Sequence, residues 1–251
     1  MQAEERQLRI EEYLQKAEFS SLDELARQVN ASVSTVRRDV SALETQGKCR
    51  RTHGGARILT PRSDEFTFTT RDSQQVVEKE AIGKACAALV QPGQSVIMDA
   101  GSTIYHVARY LQDKKPQIVT NSLPIANLYA SDHLVEIILS GGVIYPRLGV
   151  LVGPLAAETF AKMHADVAIM SANGITPEGV FNSHALLIEI QQAMIQSAQK
   201  VIFCFDHTKL NHKAVSFLCE LDRIDTVVTD QPVPPDLLDA FRRNNIEVVL
   251  P

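Results

Sequence analysis

No stretch of about 18 consecutive apolar residues occurs in the chain, so a helix long enough to cross a bilayer is excluded. The opening MQAEERQLRI is acidic where a secretory signal would be basic and then apolar, so a cytoplasmic location is expected, with no membrane partner. Cysteine is sparse: Cys49, Cys86, Cys204 and Cys219 are far apart, show no C-x-x-C spacing, and three of them sit among apolar neighbours. A disulfide framework and a zinc site are both poor fits, and buried thiols are expected. Internal repeats and low-complexity tracts are also missing. Positive charge is in deficit, with 25 Lys and Arg against 30 Asp and Glu. What is there, 251 residues of which 45% are hydrophobic and 22% charged, describes a globular chain with room for one large domain or two smaller ones.

The deficit is uneven. Residues 1–26 hold 3 basic against 7 acidic side chains, residues 27–58 hold 7 against 2, and the remainder holds 15 against 21. The middle segment, locally +5 in a chain of formal charge -5, has the footprint of a polyanion site. Its context is helical. Leu8, Ile10, Tyr13, Leu14 and Ala17 recur at a helical period, predicting a first helix over roughly 4–17. Ser21 and Glu24 form a capping box ahead of Leu22, Leu25, Ala26 and Val29, and Ser32 can cap a third helix carrying Val33, Val36, Val40 and Leu43, which Gly47 ends.

A short turn between the second and third helices is the helix-turn-helix pattern, whose later helix enters the major groove. With the apolar stripe inward, Ser34, Arg38, Ser41 and Thr45 face outward, flanked by Thr35 and Arg37, while Asp39 turns back as a structural brace. Hydroxyls bond phosphates or base edges, and guanidinium groups grip guanine bidentately. The following GKCRRTHGGARI suits a β-hairpin wing that lays Lys48, Arg50 and Arg51 along a phosphate backbone; His53 either joins them or serves as a turn residue. Thr35 to Val40 (TVRRDV), then Arg51, His53, Gly54, Gly55 and Ala56, resemble position by position the recognition helix and wing of the DeoR family of bacterial transcription regulators.

PRSDEFTFTTRDSQQVVEKE is polar and turn-rich and reads as a linker, giving a DNA-binding domain over 1–58, a linker over 59–75 and a second domain over 76–251. There the runs SVIMDA, QIVTN, EIILS, DVAIMS, VIFCF, DTVVT and EVVLP alternate with amphipathic stretches at 79–90, 103–111, 186–198 and 236–244. The fold class expected is α/β: an open, mostly parallel sheet covered on both faces, behind a small α+β winged helix-turn-helix. Ligands of such sheets sit beyond the carboxyl ends of the strands. Polar residues gather at those ends: Asp99, Gly101, Ser102 and Thr103; Asn121 and Ser122; Gly141 and Gly142; Asn173 and Gly174; Asp206 and Lys209. DAGST joins a tight turn, two hydroxyls and a helix start, a cradle for phosphate that Lys209 or Arg147 would neutralise.

MDAGST, IVTNSLPIAN, LSGGVI, LVGPLA, SANGITPEGV and FDHTKL resemble in order the blocks of the DeoR-family sensor domain. The resemblance implies a fold related to ribose-phosphate isomerases, a phosphorylated-sugar effector that weakens operator binding, and no cofactor. By it, Gly101, Ser102 and Thr103 would hold the phosphate, and Asp99, Asn121, Gly142, Asn173, Asp206 and Lys209 would line the sugar. Two places depart from the family pattern: Asn173 and Thr176 stand where carboxylates are usual, and Leu187 and Ile188 where the long helix usually opens Glu-Ala. An isomerase would need a positioned base, for which Asp99, Asp206 and His106 remain. His207 and His212 lack a third metal ligand, and a pure interaction module leaves Arg37, Arg38 and the wing without a role. The expected protein is an operator-binding regulator, a repressor of carbohydrate catabolism rather than an enzyme, that self-associates as a homodimer or homotetramer because helix-turn-helix proteins read paired half-sites.

Overall fold

The computed structural model describes residues 3–17, 19–45, 48–52, 54–58 and 67–251. The chain divides into two compact units, Met1–Glu65 and Phe66–Pro251. In the first, α1 (Ala3–Ala17), β1 (Phe19–Ser21), α2 (Leu22–Gln28), α3 (Val33–Thr45), β2 (Cys49–Thr52) and β3 (Gly55–Ile58) surround one core. Ile10 and Leu14 of α1, Leu25 and Ala26 of α2, and Val36, Val40 and Leu43 of α3 meet there, closed by Cys49 and Ala56 from the hairpin. Leu8 does not join them: it is 55% exposed, on the side of α1 away from Ile10 and Leu14 at about 100° per residue.

Ser21 caps α2 by accepting from the Glu24 amide at 3.2 Å, but Glu24 does not close the reciprocal half of the box; it turns to Gln28 at 2.8 Å and to Arg27. Ser32 accepts from the Thr35 amide at 3.3 Å and starts α3. Asp39 is buried as a brace, taking Arg6 Nε at 2.6 Å and Gln7 Nε2 at 3.3 Å from α1. Gly47 and His53 lie outside the described residues. β1, unforeseen from its sequence, pairs antiparallel with β3, so the hairpin becomes a sheet of order β1-β3-β2.

The second unit runs α4 (Phe68–Asp72), α5 (Val76–Leu89), β4 (Ser95–Met98), α6 (Ser102–Ala108), β5 (Gln117–Thr120), α7 (Leu123–Tyr129), β6 (Glu136–Leu139), β7 (Val143–Tyr145), β8 (Val150–Val152), α8 (Pro154–Ala161), β9 (Ala165–Met170), β10 (Gly174–Thr176), β11 (Gly179–Asn182), α9 (Ala185–Gln196), β12 (Ala198–Phe205), β13 (Ser216–Cys219), β14 (Thr226–Thr229), α10 (Pro235–Arg243) and β15 (Glu247–Val249). The linker expected over 59–75 is corrected by α4. Thr67 caps it, accepting from the Thr70 amide at 3.2 Å, and Phe68 meets Tyr105 of α6 edge-on at 5.5 Å, a partner that local composition does not reveal. Residues 59–66 of that stretch lie outside the described residues.

The seven apolar runs read as strands are the seven members of one parallel sheet of order β15-β14-β12-β9-β4-β5-β6. Successive side chains go to opposite faces. Ile97, Phe203 and Phe205 face the layer of α8, α9 and α10, while Val96, Met98, Ile202 and Cys204 face α5, α6 and α7. All four cysteines are buried. Two antiparallel additions, the β7–β8 hairpin and the small sheet β10-β11-β13, flank the parallel sheet. Among the described residues no helix is long and apolar enough to cross a membrane.

A cationic recognition helix and a cavity at the strand-order switch

Packing fixes which way α3 faces. Val36, Val40 and Leu43 are essentially without exposure, which leaves Ser34, Arg37 and Arg38 exposed and Thr35 and Ser41 half-buried at the flanks. Arg37 and Arg38 have no ion-pair partner among the described residues, so their charge is available to a ligand outside the fold. Ser34 and Thr35 share the Ser32 hydroxyl at 2.9 Å each, and Ser41 donates to the Arg37 carbonyl at 2.9 Å.

The wing differs from the expectation. Lys48 is paired with Glu11 at 2.7 Å, and Arg51 is folded onto Glu44 through its Nε at 2.5 Å and its backbone amide at 2.9 Å, with a further bond to Ser41 at 3.1 Å. Those two charges are locally offset, and the Arg51 bonds hold the Glu44 carboxyl below its usual range. Arg50 has no ion-pair partner among the described residues, although Glu44 attracts it at longer range, and it stands directly across the ladder from Arg57, which sequence reasoning had passed over. Like charges opposed on one sheet face repel, so a backbone phosphate between them would relieve a strain already built into the wing. Removing the acid that restrains Arg51 gives a test: Glu44→Gln is expected to tighten binding to duplex DNA by about threefold at low salt and less at high salt, measured by fluorescence anisotropy.

In the second unit, a cavity of about 230 Å³ lies at the carboxyl ends of β4, β9 and β12. It falls where the strand order reverses about β4, the place such sheets hold ligands. Seven expected residues line it: Asp99, Gly101, Ser102, Thr103, Asn173, Asp206 and Lys209. A Cβ on Gly101 would sit 1.8 Å from Ser171 Oγ, so a larger residue there would have to displace the hydroxyl that Asp99 accepts from. Asp99 accepts from the Ser171 amide at 3.2 Å and its hydroxyl at 3.1 Å, and burial pushes its carboxyl up against those bonds.

Six expected residues do not line the cavity. Asn121 and Ser122 end β5 and turn to the β7–β8 hairpin: Asn121 Nδ2 donates to the Leu151 carbonyl at 3.0 Å, and Ser122 caps α7. Gly141 and Gly142 pack beneath Leu155 and the Val152 carbonyl, and Arg147 presents its carbonyl to the Phe68 amide at 3.0 Å. Gly174 starts β10, where a Cβ would meet the His212 carbonyl at 2.0 Å. All six sit at genuine strand ends or turns, but the connections there serve the hairpin and the small sheet. Of the departures, Asn173 and Leu187 line the cavity, whereas Thr176 closes a turn with the Glu178 amide and Ile188 packs on the core. His106 faces Asp72 at 3.2 Å and does not line the cavity; His207 bonds Asp230 at 2.7 Å, and His212 the Asn173 carbonyl at 3.0 Å.

Sequence reasoning missed Arg71 and Lys79, which α4 and α5 bring to the cavity. Lys79 Nζ donates to the Gln74 carbonyl at 2.6 Å and to the Arg71 carbonyl, tying down the end of α4. Burial pushes its ammonium from 10.5 down to about 8; Asp206 and Asp72 oppose the shift, and Lys209 and Arg71 add to it. The sign of its pH effect follows. Between about 8 and 10.5 the unfolded chain binds the extra proton, so the ligand-free fold gains stability as pH rises through that window. Affinity for an anion in the cavity moves the other way and is expected to fall severalfold between pH 7 and 9 in calorimetric titrations, a fall that Lys79→Met flattens.

A model of the DeoR-like helix-turn-helix domain matches residues 6–62, and one of the DeoR C terminal sensor domain matches residues 74–231. The HTH-type transcriptional regulator GolR of Listeria innocua is 32% identical over 247 residues, 97% of each chain. The HTH-type transcriptional repressor GlcR of Bacillus subtilis is 30% identical over 250 residues, covering 100% of this chain and 97% of its own. A ribose 5-phosphate isomerase A structure from Methanocaldococcus jannaschii covers 53% of this chain at 14% identity with a TM-score of 0.38, a partial likeness of fold and nothing more. With both of its units matched, this chain belongs to the DeoR family of DNA-binding, helix-turn-helix transcriptional regulators.

Proposed function

We propose that the protein represses genes of carbohydrate use by gripping an operator with α3 and the wing, and releases it when the cavity takes up a small phosphorylated sugar. The observation that carries the DNA half is the adjacent pair Arg37 and Arg38, exposed on α3 and without acid partners among the described residues. In this reading Ser34, Thr35 and Arg38 reach base edges or neighbouring phosphates, while Arg37, Arg50 and Arg57 hold the backbone. Lys48 and Arg51 join only by exchanging Glu11 and Glu44 for phosphate, a small cost for exposed pairs. Ser41 orients Arg51.

The cavity half rests on Arg71, Lys79 and Lys209 converging with the Ser102 and Thr103 hydroxyls around a space of metabolite size. Relief of repulsion among those cations favours an anion. To lower operator affinity a thousandfold, the effector must prefer the released arrangement by about 4 kcal/mol. A catalytic isomerase reading finds less support: Asp99 is held by Ser171, and Asp206 caps the turn at Thr208 with its Oδ1 3.0 Å from that amide, so both carboxylates are already engaged. Two-fold self-association is part of the proposal, because paired half-sites require it. The experiment is a footprint with a duplex selected by the protein from a random pool, repeated with a panel of sugar phosphates. Protection of two half-sites, lost on adding one of the panel, is expected; a protein that protects no duplex overturns the proposal.

A further inference from the structure

We infer that β7 is the edge through which two copies of this chain join, each β7 pairing antiparallel with the other about a two-fold axis. The inference rests on the self-association in the reading above and assigns it a surface. The β7–β8 hairpin has one anchored strand and one free one. β8 is tied to the body of the unit: the Leu151 amide donates to the Asn121 carbonyl at 2.9 Å, Asn121 Nδ2 donates to the Leu151 carbonyl at 3.0 Å, and Val150 bridges to Ser122. Among the described residues β7 pairs with β8 alone.

The free strand is apolar. Val143 is 70% exposed and Ile144 55%. Successive strand residues point to opposite faces, so the hairpin is open and apolar on both sides as well as along its outer edge. Leu155 of α8, also exposed, lies over Gly141, where a Cβ would meet its Cδ2 at 2.6 Å, and adds a third apolar group beside β7. Other strand edges of this unit are covered or charged. Gln192 Nε2 donates to the Leu218 carbonyl of β13 at 2.9 Å, Leu210 bridges to Ile175 of β10, and β6 and β15 open with the exposed acids Glu136 and Glu247. Cover and charge are the usual guards against strand addition, and β7 has neither.

Charge decides which partner fits. In a two-fold contact each group meets its own kind, so a charged surface of either sign repels its copy. Residues 137–157 hold one charged side chain, the half-buried Arg147, in a chain of which 22% is charged. Such a surface suits its own copy, whereas an acidic or basic partner finds little opposite charge to steer it. Centred on Ile144, the pairing sets that residue against its own copy and makes one four-stranded antiparallel sheet from two hairpins. A two-fold join is also what paired half-sites require.

The test uses the full chain, by sedimentation and by cross-linking. Side chains directly opposed across an antiparallel pair have Cβ atoms about 4.5–5.5 Å apart, within disulfide reach after slight adjustment. Ile144→Cys, oxidised in air, is therefore expected to give a disulfide-linked dimer in most chains, while Val215→Cys, at a position 92% exposed outside the hairpin, stays unlinked. The four native cysteines are buried and do not compete. Ile144→Lys is expected to raise the dissociation constant by about 100-fold, since every dimer carries the lost apolar group and the added charge twice. A parent that sediments as a monomer at every concentration overturns the self-association reading, and this inference with it. A self-associated parent whose Ile144→Cys stays unlinked, or whose cooperatively melting Ile144→Lys keeps the parent's dissociation constant, overturns β7 alone. Linkage of Val215→Cys as complete as that of Ile144→Cys overturns it too, as collision rather than pairing. Should Ile144→Lys not fold, the cysteine pair of variants decides.

Discussion

Changing Arg37 and Arg38 together to alanine is expected to lower affinity for a selected operator duplex by about 30-fold or more, since contacts of this kind are worth about 1–3 kcal/mol each. The slope of log K against log salt should become shallower by about 0.9 for each of the two that neutralises a phosphate. Anisotropy titrations at several salt concentrations read both quantities. Neither guanidinium supports the core, which closes beneath them through Val36 and Val40, so the variant should melt within a few degrees of the parent. Undiminished binding would take α3 out of the groove. A loss of affinity at unchanged slope would mean that both side chains read bases rather than phosphates.

Arg71→Ala combined with Lys209→Ala is expected to leave duplex binding intact while abolishing release by a phosphorylated ligand. Hydrogen bonds from a charged donor contribute about 1.5–3 kcal/mol, so losing both should weaken ligand affinity by about 100-fold or more. A second readout separates this electrostatic role from a merely structural one. Arg71 and Lys209 both hold down the Lys79 ammonium, now at about 8, so without them the alkaline fall in any residual anion affinity should move to higher pH. Normal release by the double variant would sink the assignment of the cavity as the effector site.

Much of this was legible in the residues. The seven apolar runs are short and bounded by turn-formers, so their strand character is a local property, and each became a strand of the parallel sheet. The helical stripe of Val36, Val40 and Leu43 fixed the outward face of α3 before any contact was known. Less visible were β1, α4, and the short antiparallel strands of the β7–β8 hairpin and the small sheet. Each is short, and its identity comes from a distant partner: β3 for β1, and Tyr105 for Phe68 at the start of α4. Likewise Lys48 and Arg51 carry the composition of a phosphate grip, while Glu11 and Glu44, 37 and 7 positions away, decide how much of that charge is free.

By itself, the order of residues determined the two-part organisation, the cationic outward face of one helix and the set of strand ends at which a ligand can sit, because periodicity, capping and turn chemistry act over a few positions. It could not rank those strand ends. Only the tertiary structure, by placing β9 beside β4 and sending β5 and β6 to the other side, chose three of them for the cavity and left Asn121, Ser122, Gly141 and Gly142 to hold a hairpin. The reason is physical: strand order is set by packing between residues far apart in the chain, and the same packing carried Arg71, Lys79 and Leu187 to walls that nothing in their own neighbourhoods announces.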